Sequence, residues 1–214
     1  MLSFKTFTVN PFQENSYLIV DENNNGVIID PGFMDNQEKL MFKMFISENQ
    51  IRLEAIWLTH AHLDHLFGVS FVKETYKIPI FMNKGDENLI GLSHIIAESY
   101  GLKTDPCPDP DFFVSEGDIM KIDNKDLFQV IECPGHSPGS ICFYNKEENF
   151  IIAGDVLFKD SIGRTDLPGG DFAILESSIK NKLYKLADET IVLPGHGPST
   201  TIGYEKLNNQ FIKA

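Results

Sequence analysis

The chain has 214 residues, 42% of them hydrophobic, and this length suits a single globular domain with a substantial core. Its 18 basic and 31 acidic residues give a formal net charge of −13, which would repel a phosphate backbone, so we expect no nucleic-acid partner. No apolar stretch reaches the ~20 residues that span a bilayer, and the N-terminus carries no signal pattern. The three cysteines form no C-x-x-C pair, which favours a reducing compartment. We therefore expect a cytoplasmic protein with no membrane partner, and the sequence leaves its oligomeric state open.

Predicted strands and helices follow one another along the chain in two similar halves. In the first half, runs rich in β-branched residues between turn signals predict strands at 4–9, 16–20, 26–29 and 53–58. Helical spacing of apolar residues predicts helices at 36–48, 65–76 and 86–99. The apolar positions that indicate the first of these helices are Leu40, Met41, Met44 and Phe45.

The second half repeats this arrangement. Strands are predicted at 119–122, 128–132, 141–144, 150–153 and 190–193, with helices at 172–186 and from about residue 204. Strand-rich halves with helices between them predict two sheets packed together and covered by helices. We therefore expect one layered α/β domain spanning residues 1–214.

Five of the six histidines fall in three short segments, each directly after a predicted strand. The densest segment is an H-x-H-x-D-H array over residues 60–65, which follows the strand 53–58. His136, Asp155 and His196 each follow a further predicted strand. Strands that end in imidazole and carboxylate ligands can fix a metal cluster along one edge of a sheet. The pattern therefore predicts a metal centre.

The number of candidate ligands indicates two ions. One tetrahedral zinc takes three or four protein ligands, so seven ligands suffice for two divalent ions that share one carboxylate. Zinc is the preferred ion, and iron or manganese would accept the same donors. Water between two cations ionises near neutral pH, so such a site needs no serine or cysteine nucleophile. The seven candidate ligands are His60, His62, Asp64, His65, His136, Asp155 and His196.

These motifs, in this order, resemble the metallo-β-lactamase fold superfamily over essentially the whole chain. The resemblance implies an αββα sandwich with the metal ions at one edge. It further implies that Asp155 bridges two ions. By the same resemblance, the first ion would be held by His60, His62 and His136, and the second by Asp64, His65 and His196.

The segment over residues 154–171 resembles the glyoxalase II-like branch, which includes hydroxyacylglutathione hydrolases and short glyoxalase II-type thioesterases. The chain ends 18 residues after His196, so we expect it to lack the helical C-terminal extension that binds glutathione in full-length glyoxalase II. The implied activity is hydrolysis of a small-molecule thioester, such as S-lactoylglutathione, by a metal-bridging hydroxide. Asp64 would orient this nucleophile as well as bind metal. Arg164 and Tyr144 are expected to contact the substrate.

The main alternative is a mononuclear non-haem iron dioxygenase that acts on a persulfide, an activity also found in this branch. His60, His136 and Asp155 alone would provide the two-histidine, one-carboxylate set of such enzymes. A complete seven-ligand set does not separate the two activities, because these dioxygenases retain the other motif residues. β-Lactam hydrolysis and non-catalytic metal binding are weaker alternatives.

Overall fold

The computed structural model describes residues 1–102 and 104–213, and its strands form two six-stranded sheets and one small hairpin. The strands are β1 (Ser3–Val9), β2 (Glu14–Val20), β3 (Asn25–Ile29), β4 (Arg52–Trp57), β5 (Ile80–Met82), β6 (Phe112–Phe113), β7 (Ile119–Ile122), β8 (Lys125–Glu132), β9 (Ile141–Asn145), β10 (Phe150–Gly154), β11 (Leu157–Phe158), β12 (Ser161–Ile162), β13 (Ile191–Pro194) and β14 (Thr200–Thr201). The helices are α1 (Asn36–Glu48), α2 (Leu63–Leu66), α3 (Val69–Tyr76), α4 (Glu87–Ser99), α5 (Phe172–Asn181) and α6 (Ile202–Asn208).

The two sheets have different strand orders. The first runs β1-β2-β3-β4-β5-β6, with antiparallel pairing from β1 to β3 and parallel pairing from β3 to β6. The second runs β14-β13-β10-β9-β8-β7, in which β10 and β13 are parallel and the other pairs are antiparallel. Strands β11 and β12 form the hairpin that follows β10.

A hydrophobic layer between the sheets holds them together. Trp57 at the end of β4 is buried in this layer, with its ring 5.5 Å from that of Phe128 on β8 and 5.2 Å from that of Phe143 on β9. A second apolar layer lies under α1, α3 and α4, and a third lies under α5 and α6. The order of layers is helix, sheet, sheet, helix, so the predicted αββα sandwich is confirmed.

Helix α1 has the predicted bounds, and most of the apolar positions that indicate it are not the ones it buries. Phe42 and Ile46 are buried, whereas Leu40, Met41 and Met44 are 57%, 44% and 51% exposed. Three of the four apolar positions whose spacing indicates the helix therefore lie on its exposed side. The helix carries two apolar stripes, and tertiary packing selects one of them: the ring of Phe42 stacks at 4.6 Å on that of Phe33.

Other differences from the predictions concern element ends and short strands. The helix predicted over 65–76 is interrupted at Gly68, whose N–H donates to the carbonyl of Pro31 at 2.8 Å. A Cβ atom at residue 68 would lie 2.7 Å from that same oxygen, so close backbone approach causes the break. Strands β5, β6, β11, β12 and β14 were not predicted, because two or three residues show no periodicity. Within residues 1–102 and 104–213, every helix is too short or too polar to cross a membrane.

Candidate metal centre

The seven predicted ligands meet where strands of both sheets end. His60 lies shortly after β4, His136 lies in the turn between β8 and β9, Asp155 follows β10, and His196 follows β13. Backbone hydrogen bonds join these ends, since Ile141 N–H donates to the Thr59 carbonyl at 2.8 Å and Gly195 N–H donates to the Gly154 carbonyl at 2.8 Å. The ligand-bearing loops are therefore tied to the rigid sheets.

Three histidines form the first ligand set, which we call the first set: His60, His62 and His136. Nδ1 of His62 is 2.7 Å from Nε2 of His136, and Nε2 of His60 is 3.2 Å from that same atom. All three donor atoms lie within 4.8 Å of one another. Three imidazole nitrogens that converge in this way match the ligand type and number of a zinc site.

The second set comprises Asp64, His65 and His196. Oδ2 of Asp64 is 3.0 Å from Nε2 of His196 and 3.7 Å from Nε2 of His65. Asp155 lies between the two sets. Its Oδ2 is 3.5 Å from Nε2 of both His136 and His196, and its Oδ1 is 3.4 Å from Nε2 of His65. Through its two oxygens, this carboxylate contacts donors of both sets.

Unpartnered buried atoms support the assignment of metal ligands. Among the described residues, Nε2 of His65 and Oδ1 of Asp155 are buried without a hydrogen-bond partner, as is Oε1 of Glu14. Buried polar atoms are rarely left unpaired, because each lost hydrogen bond costs about 1–3 kcal/mol. The unpartnered atoms of His65 and Asp155 face each other at 3.4 Å, and both are metal-donor atoms. The residues present therefore fit a pair of divalent cations.

The two sets differ in electrostatic environment in the metal-free protein. Burial lowers the pKa of His60 well below its ordinary value and lowers the pKa of His62 to about 4. Burial also acts to lower the pKa of His65, but the carboxylates of Asp64 and Asp155 outweigh it and raise that pKa well above its ordinary value. His60 and His62 are thus neutral imidazoles that are ready to bind metal. The second set has a histidine that must lose a proton first.

Four ligand histidines use their second ring nitrogen for a contact that orients the ring. Such contacts fix which nitrogen faces the metal and are typical of metal-binding histidines. The partners are Thr59 Oγ1 for His60 at 3.0 Å, Asp30 Oδ2 for His65 at 3.1 Å, the Arg164 carbonyl for His136 at 2.8 Å and the Phe12 carbonyl for His196 at 3.0 Å.

Asp30 is a further functional residue that lies outside the predicted ligand motifs. Its Oδ1 accepts a hydrogen bond from Thr59 N–H at 2.7 Å, and its Oδ2 accepts one from the Thr59 hydroxyl at 2.6 Å while contacting His65. It joins the loop that carries His60 to the ring of His65. The available signal was an acidic residue directly after β3, the same placement as that of Asp155 after β10.

Glycine is required beside the ligands at two positions. Gly154 has a φ of +48°, and a Cβ there would lie 2.3 Å from Thr59 Oγ1. A Cβ at Gly195 would lie 2.2 Å from Oδ1 of Asp155. Any larger residue at these positions would displace a ligand or the side chain that orients one.

The two residues expected to contact substrate lie outside the seven-ligand cluster. Arg164 holds His136 through its backbone carbonyl, whereas its side chain is 58% exposed and makes two hydrogen bonds of 2.7 Å to Asp166. Tyr144 is half-buried on β9 and packs against the apolar layer under α5. Their contacts with a substrate remain predictions.

Comparison with known proteins agrees with this geometry. The family model described as "Metallo-beta-lactamase superfamily" matches residues 9–196. Hydroxyacylglutathione hydrolase GloC of Haemophilus influenzae is 39% identical over 215 residues, which cover 100% of this chain and 99% of that protein. The match extends from the opening strands to beyond the last ligand.

Two solved structures have the same fold. The BLEG-1 B3 metallo-beta-lactamase superimposes with a TM-score of 0.90 at 35% identity, covering 99% of this chain and 100% of that one. TTHA1623 in a di-iron-bound form superimposes with a TM-score of 0.86 at 39% identity, covering 97% and 100%. Sequence, fold and ligand geometry agree, and the chain belongs to the metallo-β-lactamase superfamily.

Proposed function

We propose that this metallo-hydrolase cleaves a small-molecule thioester of the hydroxyacylglutathione type, for example S-lactoylglutathione. The observation that carries the proposal is the position of Asp155 between two complete ligand sets. A relative that is 39% identical over its full length bears the name of a hydroxyacylglutathione hydrolase, which favours this substrate class.

The chemistry that two bound divalent cations supply is polarisation of the thioester carbonyl and activation of a water molecule near neutral pH. The protein side chains orient the reactants around them. His60 and His65 are buried, whereas His62, Asp64 and His196 are partly open to solvent, so substrate approaches the site past these three residues. Burial acts to raise the pKa of Asp64, but the charge of His65 and a hydrogen bond from His196 outweigh it and lower that pKa. An ionised Asp64 can accept a hydrogen bond from the attacking water and hold it towards the carbonyl carbon.

A thioester is a suitable substrate because its leaving group needs no strong acid from the protein. A thiol has a pKa of about 8.5, so the thiolate departs without a strong acid. Asp64 and Asp155 both have lowered pKa values, so these two carboxylates are poor proton donors at neutral pH. We propose that the guanidinium of Arg164 binds a carboxylate of a glutathione-like substrate. This carboxylate would replace Asp166 as the partner of the guanidinium.

Alanine variants in the second set test the proposal. We expect His65→Ala and His196→Ala to lose thioester hydrolysis, because both remove a donor of the second set. His94→Ala is the matched control, since His94 lies on α4 outside the ligand sets and is only half-buried. Retained hydrolysis in both ligand variants would refute a two-metal hydrolase.

The same proteins discriminate two other activities. A mononuclear iron dioxygenase would consume oxygen with a persulfide, and it would keep much of that activity in His65→Ala because its ligands are His60, His136 and Asp155. β-Lactam hydrolysis is the second activity to assay, since a structure that covers 99% of this chain is that of a B3 metallo-beta-lactamase. Turnover of a β-lactam with no thioester turnover would replace our proposal.

A further inference from the structure

Asp86 is a fully buried carboxylate at the start of α4 that does not serve its own helix. It occupies the N-cap position, where an aspartate ordinarily accepts a hydrogen bond from an N–H of the first helical turn. The Asp86 side chain makes no such capping bond. Helix capping therefore does not account for the role of the Asp86 carboxylate.

The carboxylate of Asp86 instead joins two loops that carry metal ligands. Its Oδ2 accepts hydrogen bonds from Ala61 N–H at 3.0 Å and from the Ser137 hydroxyl at 2.7 Å. Its Oδ1 accepts a hydrogen bond from Gly139 N–H at 2.6 Å. Ala61 lies between two histidines of the first set, and Ser137 directly follows the third. One side chain thus binds both segments that supply the first set.

Close backbone packing fixes the carboxylate in this position. A Cβ at Gly139 would lie 2.5 Å from the backbone nitrogen of Asp86 and 2.8 Å from its Cγ. A Cβ at Gly85 would lie 2.8 Å from the Cα of Gly139. The segment before α4 therefore lies directly against the His136 loop, with no room for either to move towards the other.

We propose that Asp86 is a positioning residue of the first set and sets the metal affinity of that set separately from the second. Asp30 has the corresponding contact in the second set, through Nδ1 of His65. The inference rests on the two-metal site of the proposed function but is independent of which substrate is cleaved. Loss of a contact that orients metal-binding histidines typically lowers metal affinity about 10- to 100-fold.

The test is zinc binding by metal-free Asp86→Asn. Asparagine keeps the size of the side chain but replaces one oxygen with an NH₂ group, which would face one of the N–H or O–H donors. Competition with a chromophoric chelator measures the affinity for each equivalent of zinc. ¹⁵N NMR of the histidine rings identifies which set fills. We expect His60, His62 and His136 to need about 10- to 100-fold more free zinc, and His65 and His196 to fill as in the unchanged protein.

Two further variants separate positioning from general stability. Glu205→Gln alters another fully buried carboxylate, which binds Thr200 and Asn209 near α6. We expect it to lower the melting temperature without changing zinc affinity. Ser137→Ala removes one of the three hydrogen bonds to Asp86, so it should lower the zinc affinity of the first set by a smaller factor than Asp86→Asn does. If Asp86→Asn does not fold, Ser137→Ala tests the inference in its place.

Each outcome decides the inference. A lower zinc affinity of the first set alone, in Asp86→Asn or Ser137→Ala, supports the inference. An unchanged zinc affinity, or an equal loss of zinc affinity in both sets, overturns the inference. Because the readout is zinc binding, absence of thioester hydrolysis in the unchanged protein would contradict the proposed function and leave the assignment of Asp86 intact.

Discussion

Replacing Gly195 by alanine is a sharp test of how Asp155 is placed between the two ligand sets. The new Cβ would lie 2.2 Å from Oδ1 of Asp155 and 2.8 Å from Cε1 of His65. Contacts of a Cβ below 3.0 Å are essentially never observed, so Oδ1 would have to move by about 0.8 Å. The backbone cannot yield easily, because the Gly195 N–H donates to Gly154 and its carbonyl accepts from Asn15 N–H, at 2.8 and 2.7 Å.

A displacement of this size exceeds what a metal site tolerates. Ligand distances in metal sites lie within about 0.2 Å of their preferred values. A misplacement of about 1 Å in a catalytic site can reduce the rate about 100-fold. We therefore expect Gly195→Ala to bind fewer than two metal equivalents and to lose about 100-fold in kcat/KM for thioester hydrolysis. Elemental analysis and a thiol-release assay measure these quantities.

Gly197→Ala is the matched control in the same loop. Gly197 has a φ of +74°, but a Cβ there would meet nothing within 4 Å. The variant should cost about 1–2 kcal/mol of stability from backbone strain and should retain both metals. If Gly195→Ala keeps two metal equivalents and full activity, the described position of Asp155 is wrong.

Three further predictions follow from other parts of the molecule. Phe42→Ala should destabilise the protein by about 3–5 kcal/mol in urea unfolding, whereas Met44→Ala on the exposed stripe of α1 should change stability by less than about 0.5 kcal/mol. Arg164→Gln should raise KM for an anionic thioester with little change in kcat or melting temperature, because an exposed ion pair contributes about 0–1 kcal/mol. Zinc binding at pH 7 should release a proton from His65, because the pKa of this residue is raised in the metal-free protein, and zinc affinity should therefore fall as pH falls. Calorimetry in buffers of different ionisation enthalpy measures the number of protons released. Release of no proton would contradict this prediction.

The metal ligands could be predicted from sequence because each ligand-bearing segment follows a strand, and strand ends are identified by local patterns. The residues that orient them could not. Asp86 matches the rule for a helix N-cap, and only tertiary structure brings its carboxylate to Ala61 and Ser137. Asp30 likewise lies in a turn, and its contact with His65 spans 35 residues.

The buried face of α1 could not be predicted from local sequence patterns, for a related reason. Two apolar stripes run along this helix, and intrinsic periodicity does not rank them. Phe42 is selected because the rings of Phe7 and Phe33 lie 5.6 Å and 4.6 Å from it. These partners come from other parts of the chain, so the choice depends on the tertiary fold.

The number of metal ions per chain tests the central claim most directly. It is measured by elemental analysis of protein purified without chelators. The two sets joined by Asp155 predict close to two equivalents, of zinc or of another divalent metal. A single equivalent of iron, unchanged in His65→Ala and His196→Ala, would contradict the two-metal hydrolase.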